Sequence, residues 1–152
     1  MRVLVVDDNT LIRAGIVALL KNQGEFEFIG EAADGIGAIE KAKELKCDLV
    51  LMDISLPGVS GFTAARLILD LLPHCHIIYV TNHLSPGMIA EALQTGARGY
   101  IAKTDLVPDL KKGMDAVVRG RRFVSRSCAG ILPDVGSGES IPPDGSFLKF
   151  SS

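Results

Sequence analysis

Short apolar runs along this chain alternate with stretches in which apolar residues recur every three or four positions. The first pattern predicts strands buried on both faces, as in parallel sheets, and the second predicts amphipathic helices. We predict five strands, at about residues 2–6, 28–33, 49–52, 76–80 and 99–102. Each is followed by a predicted helix. Five such units indicate an α/β fold, a doubly wound parallel sheet with right-handed crossovers.

Residues that favour helix N-caps precede each predicted helix: Asn9 or Thr10, Asp34, Ser60, Ser85, and Thr104 or Asp105. After Gly120, the residues 121–124 fit either a short strand or an extension of the last helix. From about Pro133 the chain is rich in Gly, Ser, Pro and Asp and lacks periodicity. We therefore predict one domain over residues 1–122 and a linker-like, flexible tail over residues 123–152.

Polar residues stand at the carboxyl ends of four predicted strands. Asp7 and Asp8 follow the first strand, and Asp53 follows the third. Thr81 follows the fourth and Lys103 the fifth. Ligands of open α/β sheets bind at these ends. Three carboxylates, a hydroxyl and an ammonium group in one crevice would bind a divalent cation and accept a phosphoryl group.

A single aspartate after an apolar run is ordinarily a turn residue or a helix cap, and that is our interpretation of Asp34 and Asp105. For Asp7, Asp8 and Asp53 the functional interpretation is favoured, because Thr81 and Lys103 complete the set. The sequence alone does not fix the order of the strands, on which this convergence depends.

Composition limits the classes of partner and compartment. The chain has 152 residues, 47% of them apolar, a net charge of -2 and a pI of about 5.9. We expect no bulk electrostatic attraction to nucleic acid or anionic membranes. The sequence contains neither a signal-peptide pattern nor an apolar run of membrane-spanning length. Its three cysteines, an odd number without framework spacing, indicate reduced thiols and a cytoplasmic protein.

Two local clusters receive structural interpretations. The tract His74-Cys75-His76 resembles a metal site, but neighbours on a strand point to opposite faces, so we expect Cys75 to face away from both histidines and disfavour zinc. A basic cluster follows the last helix, and we interpret it as a solvated helix end whose arginines pair with last-turn carbonyls rather than as a nucleic-acid site. Its members are Arg119, Arg121, Arg122 and Arg126.

Four segments carry a resemblance to a known family: VLVVDD at 3–8, LVLMDISLPGVSG at 49–61, VT at 80–81 and ALQTGARGYIAK at 92–103. Together with the separations of 28 residues from Asp53 to Thr81 and 22 from Thr81 to Lys103, they resemble the receiver domain of a two-component response regulator. GARGYIAK and the later AVVRGRRFVS are most similar to the NarL/FixJ (LuxR-type) branch. The resemblance extends over residues 1 to about 125.

The resemblance implies a flavodoxin-like five-stranded sheet of order 2-1-3-4-5 with helices on both faces. It implies that Asp53 is the phosphoacceptor and that Mg2+ is the cofactor. Asp8 and Asp53 would bind the ion directly, Asp7 directly or through water, and the backbone carbonyl of Ser55 would be a further ligand. Neutralising the repulsion among the carboxylates is the role this ion would have.

The resemblance also assigns a switch. Lys103 would pair with Asp53 and then with a phosphoryl oxygen, and Thr81 would donate its hydroxyl to another. Tyr100 would follow Thr81 inward and change the surface formed by the fourth helix, fifth strand and fifth helix. Asn82 is bulkier than the small residue common at its position, and His83 is an unusual choice two residues after the hydroxyl. We expect Asn82 to narrow access to the site and to slow phosphorylation.

The resemblance names the class of partner: a sensor histidine kinase or a histidine phosphotransfer protein, and a possible homodimer through the switch surface. We expect no enzyme activity beyond self-catalysed phosphoryl acceptance. The branch usually carries a helix-turn-helix domain, and about 30 residues after Arg122 are too few for one, so we expect no DNA binding by this chain alone.

Three alternatives stay open at this point. One is a transcription regulator whose helix-turn-helix domain is missing, and another is a pseudo-receiver scaffold that is never phosphorylated. The third is an aspartate-nucleophile hydrolase, which would want a second acid two residues after its nucleophile. Ser55 occupies that position and disfavours the hydrolase.

Overall fold

The structure, a computed structural model, describes residues 1–131 and the backbone of Ser140–Ile141. The chain divides into two compact units, the first covering Met1–Ile77 and the second beginning at Ile78.

The first unit contains three parallel strands and three helices. β1 lies between the other two strands: it pairs with β2 and β3, and its Val6 lies opposite Met52 of β3. All four residues of β3 are buried, as the uninterrupted apolar run predicts. The elements are β1 (Arg2–Val6), α1 (Thr10–Leu20), β2 (Glu27–Ala32), α2 (Gly35–Leu45), β3 (Leu49–Met52) and α3 (Gly61–Leu71).

The next strand, β4, spans the boundary between the units, and the elements after it belong to the second unit. β4 and β5 are parallel, β5 and β6 are parallel, and β6 and β7 are antiparallel. A short 3-10 turn over Lys103–Asp105 precedes α5. The elements are β4 (His76–Thr81), α4 (Pro86–Gln94), β5 (Gly99–Ala102), α5 (Leu106–Val118), β6 (Arg122–Val124), α6 (Arg126–Ala129) and β7 (Ser140–Ile141).

The strand order is β2-β1-β3-β4-β5-β6-β7. The predicted flavodoxin-like α/β class and the order 2-1-3-4-5 are therefore confirmed, with further short strands beyond the fifth. The five predicted strands are confirmed, and each of their ends agrees within one residue. Of the two interpretations of residues 121–124, the strand is correct, because β6 pairs with β5 and buries Phe123 and Val124.

Four of the predicted N-caps are confirmed, since the side chains of Asn9, Asp34, Ser60 and Ser85 accept hydrogen bonds from the first turns of α1 to α4. Asp105 occupies the predicted N-cap position of α5, but its side chain does not cap the helix. Its carboxylate makes no capping hydrogen bond and instead accepts from the hydroxyl of Ser125 at 2.6 Å. The amide and hydroxyl of Ser127 donate to it as well, each at 2.8 Å. These three donors draw the buried carboxylate away from the helix.

The predicted domain boundary at residue 122 stays a prediction. Immediately beyond it the chain forms the rest of β6 and then α6, with Cys128 and Ala129 buried. The predicted tail from Pro133 lies outside the described residues, apart from the backbone of β7. Among residues 1–131, no helix has the length and apolar character needed to cross a membrane.

The expected pairing of the basic cluster with last-turn carbonyls is wrong for Arg126. Its guanidinium forms an ion pair of 2.8 Å with the buried Asp109, and its backbone amide donates to the same carboxylate at 2.9 Å. A carbonyl beyond the end of α5 does accept from an arginine, but that arginine is Arg98, which reaches the carbonyl of Gly120 at 3.1 Å. Asp109 lies too far from Arg126 in sequence for the local pattern to indicate the pairing.

Candidate functional site

Two aspartates directly follow the carboxyl ends of neighbouring strands in the first unit, at matching positions in the strand register. Because Val6 pairs with Met52, Asp7 and Asp53 directly follow paired residues. The amide of Asp53 donates to the carbonyl of Val6 at 3.0 Å, and the amide of Asp7 donates to the carbonyl of Ala32 at 3.1 Å. The strand ladder thus continues by one residue and fixes both backbones where the carboxylates begin.

The turn after β1 directs its two acids differently. The Asp7 carboxylate is buried and accepts from the amide of Asn9 at 2.8 Å, whereas Asp8 is exposed. The Asn9 side chain in turn accepts from the first amides of α1. Arg13 of that helix donates to the carbonyl of Asp7 at 2.5 Å and pairs with Glu31 at 2.6 Å. The first turn of helix α1 therefore fixes the loop that carries Asp7 and Asp8.

The loop after β3 folds tightly over Asp53. The amide of Ser55 donates to the Asp53 carboxylate at 3.3 Å, and the amide of Gly61 donates to the carbonyl of Ile54 at 2.8 Å. A Cβ atom on Gly61 would lie 2.2 Å from the carbonyl oxygen of Asp53, closer than atoms approach. Gly58 has φ +72°, a conformation that L side chains rarely adopt. Glycines at 58 and 61 therefore allow the loop to close on the acid.

The carboxylates of Asp7, Asp8 and Asp53 converge, with one oxygen from each within 4.8 Å of the others. No other group of three such side chains was found in residues 1–131. Three negative charges at this spacing repel one another, and a cation among them would remove that repulsion. An all-oxygen donor set suits a hard divalent ion such as Mg2+. The predicted convergence of the three acids is confirmed, and the residues fit a metal site.

Thr81 and Lys103 belong to the second unit. Thr81 is the last residue of β4, it is fully buried, and its hydroxyl oxygen accepts from the amide of His83 at 3.2 Å. Lys103 begins the 3-10 turn after β5 and is half-buried. Their predicted positions at the carboxyl ends of strands are confirmed. Their predicted roles toward a phosphoryl group, like the role of the Ser55 carbonyl, stay predictions.

Tyr100 is fully buried, and its hydroxyl donates to the backbone carbonyl of His83 at 2.5 Å. The same loop residue therefore contacts both predicted switch residues, since its amide donates to Thr81. The ring of Tyr100 also lies edge-on to Tyr79, with centroids 6.4 Å apart. Sequence reasoning singled out His83 for its side chain, which is exposed, and missed the backbone contacts. Side-chain pattern carries no signal for a backbone acceptor.

The expectation that Cys75 faces away from both neighbouring histidines stays a prediction. His74 and Cys75 line the same cavity of the first unit. Both residues precede β4, which begins at His76, so the alternation of a strand does not govern their directions. Among the described residues, no group of three metal-ligating side chains includes this tract.

Known proteins are similar to this chain in sequence and in fold. The family model described as "Response regulator receiver domain" matches residues 3–114. Response regulator GacA of Pseudomonas viridiflava is 36% identical over 129 residues, which cover 85% of this chain and 60% of GacA. Transcriptional regulatory protein LiaR of Bacillus subtilis is 32% identical over 151 residues, covering 98% of this chain and 72% of LiaR. This chain thus spans less than two thirds of GacA.

A solved structure gives the same picture for the backbone. The two-component response regulator of the LuxR family from Aurantimonas sp. SI85-9A1 superposes with a TM-score of 0.79 at 28% identity. The match covers 88% of this chain and 94% of that one.

Proposed function

Because this chain belongs to the family of response regulator receiver domains, we propose that its Asp53 accepts a phosphoryl group from a sensor histidine kinase or a histidine phosphotransfer protein. A receiver domain is a signalling phosphoacceptor rather than a catalytic enzyme. The observation that carries the proposal is the convergence of Asp7, Asp8 and Asp53 within 4.8 Å, on backbones fixed by the strand ladder.

In the proposed step, a carboxylate oxygen of Asp53 attacks the phosphorus of a phosphohistidine. The bond from phosphorus to the histidine nitrogen breaks, and an acyl phosphate forms. Such transfers depend mainly on position and on neutralised charge. Asp7, Asp8, Asp53 and the backbone carbonyl of Ser55 would hold Mg2+, which when bound supplies positive charge against the carboxylates and the incoming group. Burial of Asp7 and Asp53 favours ion binding at the exposed edge marked by Asp8.

We assign the second stage to Lys103, Thr81 and Tyr100. Lys103 would pair with one phosphoryl oxygen, and the Thr81 hydroxyl would donate to another. The Thr81 oxygen already accepts from the His83 amide, and its proton is available to donate. Any shift of this loop would also change the hydrogen bond that the Tyr100 hydroxyl donates to the His83 carbonyl. That shared residue supports a relay to the surface of α4, β5 and α5, where a homodimer or another partner would respond.

A second candidate, control of transcription, is favoured by the similarity to LiaR and to the LuxR family regulator. We propose that this receiver acts in the cytoplasm. It would exert such control through a DNA-binding output and would not bind DNA with its own surface. A gel-shift assay with the receiver alone, against a longer regulator as control, separates a direct contact with DNA from an indirect one.

The experiment that tests the phosphoacceptor is intact-protein mass after incubation with magnesium and acetyl phosphate. We expect the wild type to gain the mass of one phosphoryl group, and to gain none in the presence of a chelator. Asp53→Asn should gain none. Asp70→Asn, which removes the same charge from the exposed face of α3, is the matched control and should behave as the wild type. No gain in the wild type would favour the pseudo-receiver scaffold.

A further inference from the structure

Two cysteines of the first unit lie side by side, outside the aspartate cluster. Cys47 precedes β3 and Cys75 precedes β4. The residues that follow them are joined by a hydrogen bond, in which the amide of His76 donates to the carbonyl of Asp48 at 2.9 Å. Both cysteines line one cavity, and a hydrogen bond between them is the main influence on the pKa of each thiol. Both are reduced in this structure. The backbone therefore places the two cysteines next to each other at one cavity.

A cavity of about 230 Å³ reaches this pair. Its wall is formed by residues 46–48 and by the end of α3 with the residues that follow it, 71–75. Cys47 is 4% exposed and Cys75 is 7% exposed. A small uncharged solute such as hydrogen peroxide can thus reach the sulfurs, while a protein thiol is kept out.

The two thiols are not equivalent. The hydrogen bond from Cys75 lowers the pKa of Cys47 and outweighs burial, which acts in the opposite direction. The same hydrogen bond raises the pKa of Cys75, and burial raises it further. Cys47 is accordingly the better nucleophile, and Cys75 keeps the proton. Cys128 of the second unit provides a contrast, because burial raises its pKa and its hydrogen bond is to Ser125.

We propose that Cys47 and Cys75 are a peroxide-sensitive thiol pair that forms a reversible disulfide. The Cys47 thiolate attacks one oxygen of hydrogen peroxide: an S–O bond forms, the O–O bond breaks, and the hydroxide released takes up a proton to give water. The sulfur of Cys75 then attacks the sulfenic sulfur of Cys47, and the hydroxyl leaves with the Cys75 proton as a second water. Two thiols are oxidised and one peroxide is reduced.

This modification site is independent of the phosphoacceptor chemistry. It lies where β3 and β4 begin, whereas Asp53 follows the end of β3. A metal site is the weaker explanation of the pair, since no group of three metal-ligating side chains in residues 1–131 contains these cysteines. Disulfides in reducing compartments are typically transient and redox-sensing, which fits a thiol pair that forms its bond only under oxidation.

The test treats the whole chain with hydrogen peroxide, quenches it in acid, denatures it and alkylates the remaining thiols. Intact mass and a non-reduced peptide map are then measured. We expect two of the three thiols to resist alkylation, so that the chain carries one alkyl adduct instead of three. After the adducts are subtracted, its mass should be lower than that of the reduced chain by two hydrogens, and the map should contain a peptide that links Cys47 to Cys75. Dithiothreitol should restore all three thiols.

Variants assign the order of the steps. Cys128→Ser is the matched control and should form the same link. Cys75→Ser should stop at a Cys47 sulfenic acid that reacts with dimedone, and Cys47→Ser should form no link. Far-UV circular dichroism checks each variant's fold, and if one unfolds, the wild type and Cys128→Ser decide. The proposal is overturned if all thiols stay alkylatable, if Cys47 reaches the sulfinic acid without a link, or if the link joins two chains.

Discussion

The chain builds two aspartate clusters with opposite surroundings. In the first unit, the carboxylates of Asp7, Asp8 and Asp53 lie within 4.8 Å of one another. In the second unit, Asp105 and Asp109 are buried and face donors instead. Asp105 accepts from Ser125 and Ser127, and Asp109 accepts from the backbone and the guanidinium of Arg126. We call the first the acidic triad and the second the α6 clamp, because its donors lie in or next to α6.

The difference shows that the neighbours of an aspartate, not its burial, decide what it does. Asp53 is 5% exposed and Asp109 is fully buried. In the triad, carboxylate faces carboxylate, a high-energy arrangement that a cation stabilises. In the clamp, burial acts to raise the pKa of Asp109, but the hydrogen bonds and charge of Arg126 outweigh burial and lower it. The triad is built to bind, and the clamp is built to hold α6 against α5.

The largest effect should come from neutralising the clamp. We expect Asp109→Asn to lower the free energy of unfolding by about 2 kcal/mol, since it removes charge-assisted hydrogen bonds inside the protein. Urea denaturation measures this. Asp70→Asn, an exposed aspartate, is the control and should stay within about 0.5 kcal/mol of the wild type. Equal effects of the two variants would show that the clamp contributes nothing.

Acid should abolish the same contribution. Because the folded state lowers the pKa of Asp109, its stabilisation is fully present above the unfolded-state pKa and is lost as pH falls through the folded-state value. The difference in unfolding free energy between the wild type and Asp109→Asn should therefore be constant near neutrality and shrink below about pH 4. Urea melts at successive pH values measure it, and a difference that grows in acid would contradict the lowered pKa.

Comparison of the two clusters also shows what the sequence could predict. Apolar runs and cap residues act locally, so the strands, four of the caps and the acids at the strand ends were predicted correctly. The convergence of the triad needed the strand order, which came from the family resemblance and was confirmed by the match over residues 3–114. Periodicity alone would have placed Asp7 and Asp53 on two strands whose order in the sheet was unknown.

The clamp escaped prediction because its partners are distant in sequence. The local pattern predicts that Asp105 caps α5, but its carboxylate accepts from Ser125 and Ser127, which lie 20 and 22 residues away. Those donors fall within residues 123–152, the stretch predicted as a tail. Nothing in the local sequence of this segment indicates that its serines and arginine will meet buried acids, so only tertiary structure reveals the pairing.

Magnesium should distinguish the two clusters next. We expect Asp8→Asn to weaken magnesium binding at least tenfold, about 1.4 kcal/mol, because it removes one carboxylate from the triad. Asp109→Asn should bind magnesium as the wild type does. Isothermal titration calorimetry suits this chain, which has no tryptophan to report binding by fluorescence. Unchanged affinity in Asp8→Asn would contradict the assignment of the triad as the metal site.

The smallest effect is a gain in stability. In a chelating buffer, Asp8→Asn should raise the free energy of unfolding by about 0.5 to 1 kcal/mol, because it relieves repulsion at an exposed edge of the triad. The gain should shrink at high salt. With magnesium in excess, the wild type should become the more stable of the two, since it binds the ion more tightly and is stabilised by mass action.

Asp70→Asn should show neither the gain nor the reversal. This control separates the effect of a changed net charge from the relief of repulsion within the triad. If Asp8→Asn proves less stable than the wild type in chelator, the carboxylates do not repel as their spacing indicates. The acidic triad would then not be the repulsive counterpart of the α6 clamp.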